Sequence, residues 1–521
     1  MDRIDLNLRK ILVISTFSLL LFSLYHFIKW YMDYNLRTRR IFKVIRNYKT
    51  PAHLPLIGHA LQFMGTPTGV HSHIIRICFK YGPNFAVWIL DHIFIVVGKP
   101  DDVEKILQSP SCLTKNELYR FTHGIVGTGL FTAPPEKWRQ HRKIISPTFN
   151  AKILEGYLPI FCKTGNIFVD EILPNNVDKK DADWYTLFTA VNLDVIMQTA
   201  MGIDKDVQRK DVPFGQWLEN AMRSCFIRMV KILYYPDFIF YRTRMGKLLK
   251  KYTYKINKFT EEIIQEKRRK FKEDLDNNEY RPVLDEGSTR PIGKKVFLDF
   301  LLELDHKGMN FTDKDLRDEV NTFFVGGTDT SAVTACFFLT MMGMHQDIQE
   351  KVYEEVMGVL GPEGQPTVKD LNEMHFFERC LKETMRLFTP APIILRKNTG
   401  GDLKISDGVI PVGASIAICF FYIHRSDLYW NNPLKFDPDR FLPEEMAKRH
   451  PYTFLPFSAG FRGCIGQRFA LLNLKTQLSL IMRKYRIYCD AYKSVEEIQL
   501  KSVLVLRPIH GFKFRLVKRQ Q

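Results

Sequence analysis

The residues whose types and spacing best suit chemistry lie at Phe457-Ser-Ala-Gly460-Phe-Arg462-Gly-Cys464-Ile-Gly466. A lone buried cysteine is usually an inert small hydrophobe. The neighbours of Cys464 argue for more. Glycines at 460, 463 and 466 permit a tight turn and a close backbone approach. A helix is predicted to start near Gly466, and amide N–H groups at a helix start stabilise a thiolate. Arg462, two residues earlier, adds a positive charge. The product is a soft anionic ligand on a loop, suited to one iron atom, because no C-x-x-C accompanies it.

Four further constellations accompany this loop, and none is specific alone. Glu383-Thr-Met-Arg386 places its outer pair on one helix face; such a pair is usually a surface ion pair. Phe436-Asp-Pro438-Asp-Arg440-Phe441 follows it. Trp138-Arg-Gln-His-Arg142 sets its outer pair one helical turn apart and by itself reads as a basic surface helix. Gly326-Gly327-Thr328-Asp329-Thr330-Ser331 falls in the middle of a long apolar helix. Each glycine costs about 1 kcal/mol there against alanine. Something approaching the backbone closely would explain them, and so would helix–helix packing. Asp329 and Thr330 by themselves read as local caps in a kinked helix.

Taken together, these motifs resemble those of the cytochrome P-450 superfamily. The loop carries F-x-x-G-x-R-x-C-x-G at every fixed position: Phe457, Gly460, Arg462, Cys464 and Gly466. The resemblance extends over most of residues 50–521 and implies a mainly α fold with a minor β portion. It implies a haem whose iron is bound by Cys464, the thiolate pushing electron density onto the metal and favouring O–O cleavage. Glu383, Arg386 and Arg440 resemble the family's buried triad, which locks the loop presenting the cysteine. Breaking such a network should cost about 3–5 kcal/mol. Trp138, Arg142, Arg396 and Arg462 resemble residues that hold the haem propionates, for which the planar arginine fork is suited. Buried arginines without an acidic ligand would be hard to explain. Gly326 to Thr330 match the oxygen-activation motif (A/G)-G-x-(D/E)-T. The resemblance implies that the glycine pair makes room for dioxygen and substrate. Thr330 then helps deliver protons, and Asp329 connects that relay to solvent as an acid.

Glu319-Val-Asn-Thr-Phe-Phe-Val-Gly-Gly-Thr-Asp-Thr-Ser331 is similar to the signature of the family-four branch, above all its insect-type members. That branch includes fatty-acid ω-hydroxylases. Many members carry, where this chain has Gly326, a glutamate that forms an ester to the haem. A non-covalent haem b is therefore expected, and strict terminal-methyl selectivity is not. The implied reaction inserts one atom of O2 into a lipophile: a fatty acid, hydrocarbon, terpenoid, hormone or xenobiotic. By family analogy its pocket is walled by 121–131, 225–240, Phe323 and Phe324, 390–396 and 506–511. No G-x-G-x-x-G follows a strand, so NADPH must act indirectly. The family's partner is an NADPH-dependent flavoprotein reductase, with cytochrome b5 as a second donor, and Arg139, Lys143, Arg468 and Lys475 offer a basic docking face. Two rivals stand. A haem-thiolate isomerase would need no reductase and no Asp329–Thr330 relay. A haem or lipophile carrier would bind both and form no product.

These residues need elements to position them. Residues 85–97 read as a β-hairpin around Asp91-His92. From about 101 to 270 the pattern is helical, and 273–296 is a polar surface loop. Thr312-Asp-Lys-Asp315 resembles a capping box opening a helix that runs to about His345. Short strands follow between 387 and 425, irregular Pro-rich chain over 431–456, and a β-ended tail after the last helix.

Residues 11–28 form an uncharged apolar run, with Trp30 and Tyr31 where interface aromatics belong. No small-x-small cleavage site follows it. Basic residues crowd its C-terminal flank from Lys29 to Lys49, which places the body on the cytoplasmic side. The reading is a membrane anchor (1–30), a basic, Pro-containing linker (31–58) and one catalytic domain (59–521). It implies the endoplasmic reticulum membrane with a lumenal N-terminus. Nine widely spaced cysteines, an odd number, argue against a disulfide framework. The net charge of +18 is spread along the chain without a nucleic-acid-binding motif. That leaves an anionic membrane or an acidic protein as its partner.

Overall fold

A computed structural model describes residues 2–54, 57–90, 92–179, 182–210, 212–277, 279, 296–308 and 311–520. It is mainly helical with a small sheet portion, as expected. Helix α1 (Asp2–Ile45) contains the apolar run, and its Lys10–Leu36 stretch is long and apolar enough to cross a membrane, with none of its most apolar window buried. The helix continues unbroken past residue 30 and stops ahead of Pro51.

The expected hairpin is β1 (Asn84–Ile89) and β2 (His92–Val97), with Ile89 opposite His92. With β3 (Thr114–Lys115), β4 (Ile393–Lys397) and β5 (Ser415–Cys419) it forms a five-stranded sheet in the order β1-β2-β5-β4-β3. Only β2 and β5 run parallel. The β3–β4 pairing joins chain segments almost three hundred residues apart and sets Lys115 opposite Arg396.

The helices that carry the site are α2 (Pro135–Ile145), α3 (Trp184–Ile196), α4 (Phe214–Val230), α5 (Arg244–Asp276), α6 (Asp313–Met344), α7 (His375–Leu387) and α8 (Gln467–Lys484). The sequence-predicted start of α6 is real. Thr312 Oγ1 accepts from the Asp315 amide at 3.1 Å, and Asp315 accepts from the Thr312 amide at 3.3 Å. That reciprocal cap satisfies two backbone donors that the first turn would leave open. Most of α6 beyond Thr328 is buried. Phe337, for example, stacks on Phe388 at 4.2 Å, and each such ring contributes roughly 1.5–3 kcal/mol through burial. The polar stretch 273–296 begins inside α5; between 278 and 295 it lies, apart from 279, outside the described residues.

Candidate active site

The cysteine loop is built by its own backbone. The Gly463 amide donates to Gly460 O at 3.0 Å, and the Cys464 amide donates to Phe457 O at 2.9 Å. Gly460 has φ +66°, and a Cβ there would meet Leu107 O at 2.1 Å, so no other residue fits. Helix α8 begins directly after Gly466. Cys464 is exposed, whereas the other eight cysteines are buried. Surrounding protein pushes its thiol pKa up; the Gly466 amide and then the Arg142 charge pull it back. Arg462 does not serve the thiolate as the sequence suggested. Its guanidinium lies 4.6 Å over the Trp138 ring and donates to Ala133 O at 2.7 Å. The cation that acts on the sulfur is Arg142, which also donates to Gly463 O at 3.1 Å.

Around the loop stand cations without an acid. Arg396 is buried and donates to Leu395 O at 3.1 Å. Arg462 is lowered to about 9, first by burial and then by Arg396, Arg139 and Arg142. Its Nε and Nη1 are buried without partners. Lys115, which sequence reasoning missed, is pushed well down by burial and by Arg396 and Arg462. Like charges directly opposite in a sheet destabilise it, and Lys115 sits opposite Arg396. An anion between its members would relieve that repulsion. The two carboxylates of a haem fit that demand, and the open Cys464 sulfur fits its iron. Lys115 carried no sequence signal, because its role comes from a strand pairing across the chain.

On α6 the two glycines do different work. A Cβ on Gly327 would strike Ile196 Cδ1 at 2.5 Å, so Gly327 lets α6 pack on α3. A Cβ on Gly326 would meet nothing within 4 Å. Thr330 Oγ1 donates back to Gly326 O at 2.6 Å. Asp329 is buried, accepting from Tyr185 Oη at 3.0 Å and Arg507 Nη2 at 2.8 Å. Arg507 lies 3.7 Å over the Tyr185 ring and pairs through Nη1 with Glu219 at 3.1 Å. Burial and the neighbouring Asp329 charge raise the Tyr185 pKa. Sequence reasoning missed all three partners.

Glu383, Arg386 and Arg440 do meet. Arg386 binds Glu383 bidentately at 2.6 and 2.8 Å, both side chains being fully buried. Arg440 Nε lies 3.4 Å from the same carboxylate. The Asp437 amide donates to Glu383 at 2.9 Å, and Arg386 donates to His424 O at 2.6 Å. His424 Nε2 in turn accepts from the Leu455 amide at 2.8 Å. The triad thus reaches the chain entering the cysteine loop. A second brace was also missed. Asp318 accepts from the Thr128 amide at 2.8 Å, and Glu319 accepts from the Leu130 amide at 3.0 Å and meets His141 Nδ1 at 2.7 Å. It ties α6 to α2, which carries Trp138 and Arg142.

The cytochrome P450 family model matches residues 49–516. The chain belongs to the cytochrome P450 family. It is thus a haem monooxygenase acting on a small molecule with O2. Cytochrome P450 4g15 of Drosophila melanogaster is 31% identical over 94% of this chain and 95% of the relative. Cytochrome P450 4c21 of Blattella germanica is 36% identical over 83% and 86%. Cytochrome P450 4V2 of Homo sapiens is 32% identical over 89% and 88%. These names bear out the family-four, insect-type resemblance. The crystal structure of the cytochrome P450DA heme domain superposes with a TM-score of 0.75 over 91% of this chain and 98% of that one, at 23% identity, and so shares the P450 fold.

Two expectations about this P450 need correction. Lys475 cannot belong to a docking face. It is buried, bonded to Leu371 O at 2.7 Å and Glu378 at 2.5 Å, because it lies on the inner side of α8. Arg139, Lys143 and Arg468 are exposed. Phe323 and Phe324 are core residues: Phe323 packs on Phe297 at 4.2 Å and Phe324 on Phe214 at 5.7 Å. An apolar cavity of about 190 Å³ is lined in part by segments 225–240 and 390–396, through Phe226, Met229 and Leu395, but by no residue of 121–131 or 506–511 and by none of Cys464, Gly326 and Thr330. The sheet residues Val87 and Phe94, which were not foreseen, also line it.

Proposed function

We propose that this chain is a membrane-anchored monooxygenase that inserts one oxygen atom from O2 into a lipophile, with NADPH electrons delivered by a separate reductase. The observation that carries this reading is Cys464, the one exposed cysteine among the described residues, beside a cluster of Arg142, Arg396, Arg462 and Lys115. Cys464 would bind the iron, and Trp138, Arg142, Arg396 and Arg462, with Lys115, would hold the propionates. Haem, when bound, supplies dioxygen activation at its iron. Gly326 offers no carboxylate for an ester, so haem b is held non-covalently. Thr330 Oγ1 moves a proton toward the oxygen. Asp329, once its pair with Arg507 loosens, takes a proton from water and passes it to Thr330.

The substrate is a fatty acid, hydrocarbon, terpenoid, hormone or xenobiotic, and the apolar cavity favours a long hydrophobic portion. Arg139, Lys143 and Arg468 dock the NADPH-cytochrome reductase, and cytochrome b5 is a second donor. The basic flank after Trp30 favours a lumenal N-terminus and a cytoplasmic catalytic domain at the endoplasmic reticulum. The decisive experiment is a reduced carbon-monoxide difference spectrum. Wild type should show the red-shifted Soret band of thiolate-ligated haem, and Cys464→Ala should lose it. A folded wild type without that band would sink the reading.

A further inference from the structure

A second concave site lies outside the catalytic centre, between α4, α5 and the chain near residue 120. Its lining includes Arg120, His123, Lys250, Tyr241 and Tyr254. Asp237, the carboxylate in its wall, is already paired with Arg228. Arg228 is itself sandwiched 4.5 Å from the Phe121 ring and 4.4 Å from Phe240. Arg120 and Lys250 are exposed. From Arg242 to Lys258 every charged side chain is basic. The groove is therefore positive, and its own acid does not neutralise it.

Its position bears on the partner. The apolar run of α1 is followed by Trp30 and Tyr31, residues that belong at a bilayer interface. One turn later Tyr34 donates to Leu90 O in the β1–β2 turn, at 3.4 Å. Two residues on, the His92 ring stands 6.2 Å from Tyr235, which lines the groove. One wall of the groove is thus linked through Tyr235 to the turn that the anchor helix touches. Around the groove Leu233, Phe238 and Tyr254 are 59%, 67% and 67% exposed. Apolar and aromatic side chains beside a basic helix suit the boundary between headgroups and acyl chains.

We propose that this groove binds the phosphate-bearing headgroup of an anionic phospholipid in the bilayer that holds α1. Arg120 and Lys250 contact the phosphate, Tyr241 and Tyr254 flank it, and Phe238 enters the acyl boundary. The site draws its specificity from net charge, since phosphatidylserine adds a carboxylate to the phosphate and ammonium whose charges cancel in a zwitterionic headgroup. It rests on the membrane anchoring proposed above.

The test uses the full haem-loaded chain in nanodiscs of phosphatidylcholine, with or without phosphatidylserine as a minor component. Retention in pure phosphatidylcholine discs scores the anchor separately. Hydrogen exchange across residues 237–254 scores the groove. Exchange should be about 25-fold slower in the phosphatidylserine discs, given two basic contacts each worth about fivefold. An Arg120→Glu/Lys250→Glu chain with an unchanged haem spectrum should exchange alike in both. Equal exchange of the wild type in both discs would overturn the proposal, and this comparison needs no variant. So would protection that survives in the double variant. Equal protection by soluble glycerophosphoserine added to phosphatidylcholine discs would assign a soluble anion instead, and likewise overturn it.

Discussion

At the scale of single residues, the site stores electrostatic cost until its cofactor arrives. Arg462 keeps two buried donors unpartnered, and an unsatisfied buried donor costs about 1–3 kcal/mol. Arg462→Leu should therefore stabilise the haem-free chain by roughly that amount, measured by denaturant titration. The same variant should weaken haem affinity by about 10–100-fold, the value of a lost charge-assisted bond. His424 makes the opposite kind of prediction. Burial, then Arg386, lowers its pKa from 6.5 to about 3. Between those values the unfolded chain binds more protons, so stability rises with pH across the window. Acidifying from pH 6.5 should cost about 1.4 kcal/mol per unit from this group once the window is entered. Melting temperature against pH, with His424→Asn as control, checks the slope.

At the scale of elements, α6 is held by features that differ in their tolerance. Gly327→Val drives a branched side chain into Ile196 and should destabilise the fold by about 1–3 kcal/mol. Gly326→Ala meets no neighbour and should raise the melting temperature, since alanine removes a helix cost of about 1 kcal/mol. Equal losses from the two substitutions would refute the division of labour. The start of α6 and the glycine turn before α8 were legible in the sequence because both depend on residues three or four apart. The Glu383–Arg386 pair was legible for the same reason. The Asp329–Arg507 pair was not, since its members are 178 residues apart and neither carries a local cue. Phe323 and Phe324 were assigned to the pocket wall by analogy, but helix rotation points them into the core.

At the scale of the whole molecule, anchor, haem site and electron supply must share one orientation. The exposed Arg139, Lys143 and Arg468 predict that reductase-supported turnover falls as salt rises, because screening weakens steering between charged surfaces. Turnover driven by a chemical oxygen donor should be insensitive to salt. A flat reductase-supported profile would remove the docking face. Lys475→Ala should act instead through stability, since that side chain is bonded inside the fold to Glu378.

The sequence alone determined the family, the candidate cysteine, the likeness of the triad and the apolar N-terminal helix, because these rest on local spacing and composition. Only the tertiary structure decided which charges face one another. It placed Lys115 opposite Arg396, closed Asp329 onto Arg507 and Tyr185, buried Lys475, and assigned the two α6 glycines different neighbours. The physical reason is that ion pairing and packing depend on which surfaces the fold brings together, and a one-dimensional pattern encodes those contacts only where they fall within a turn or two.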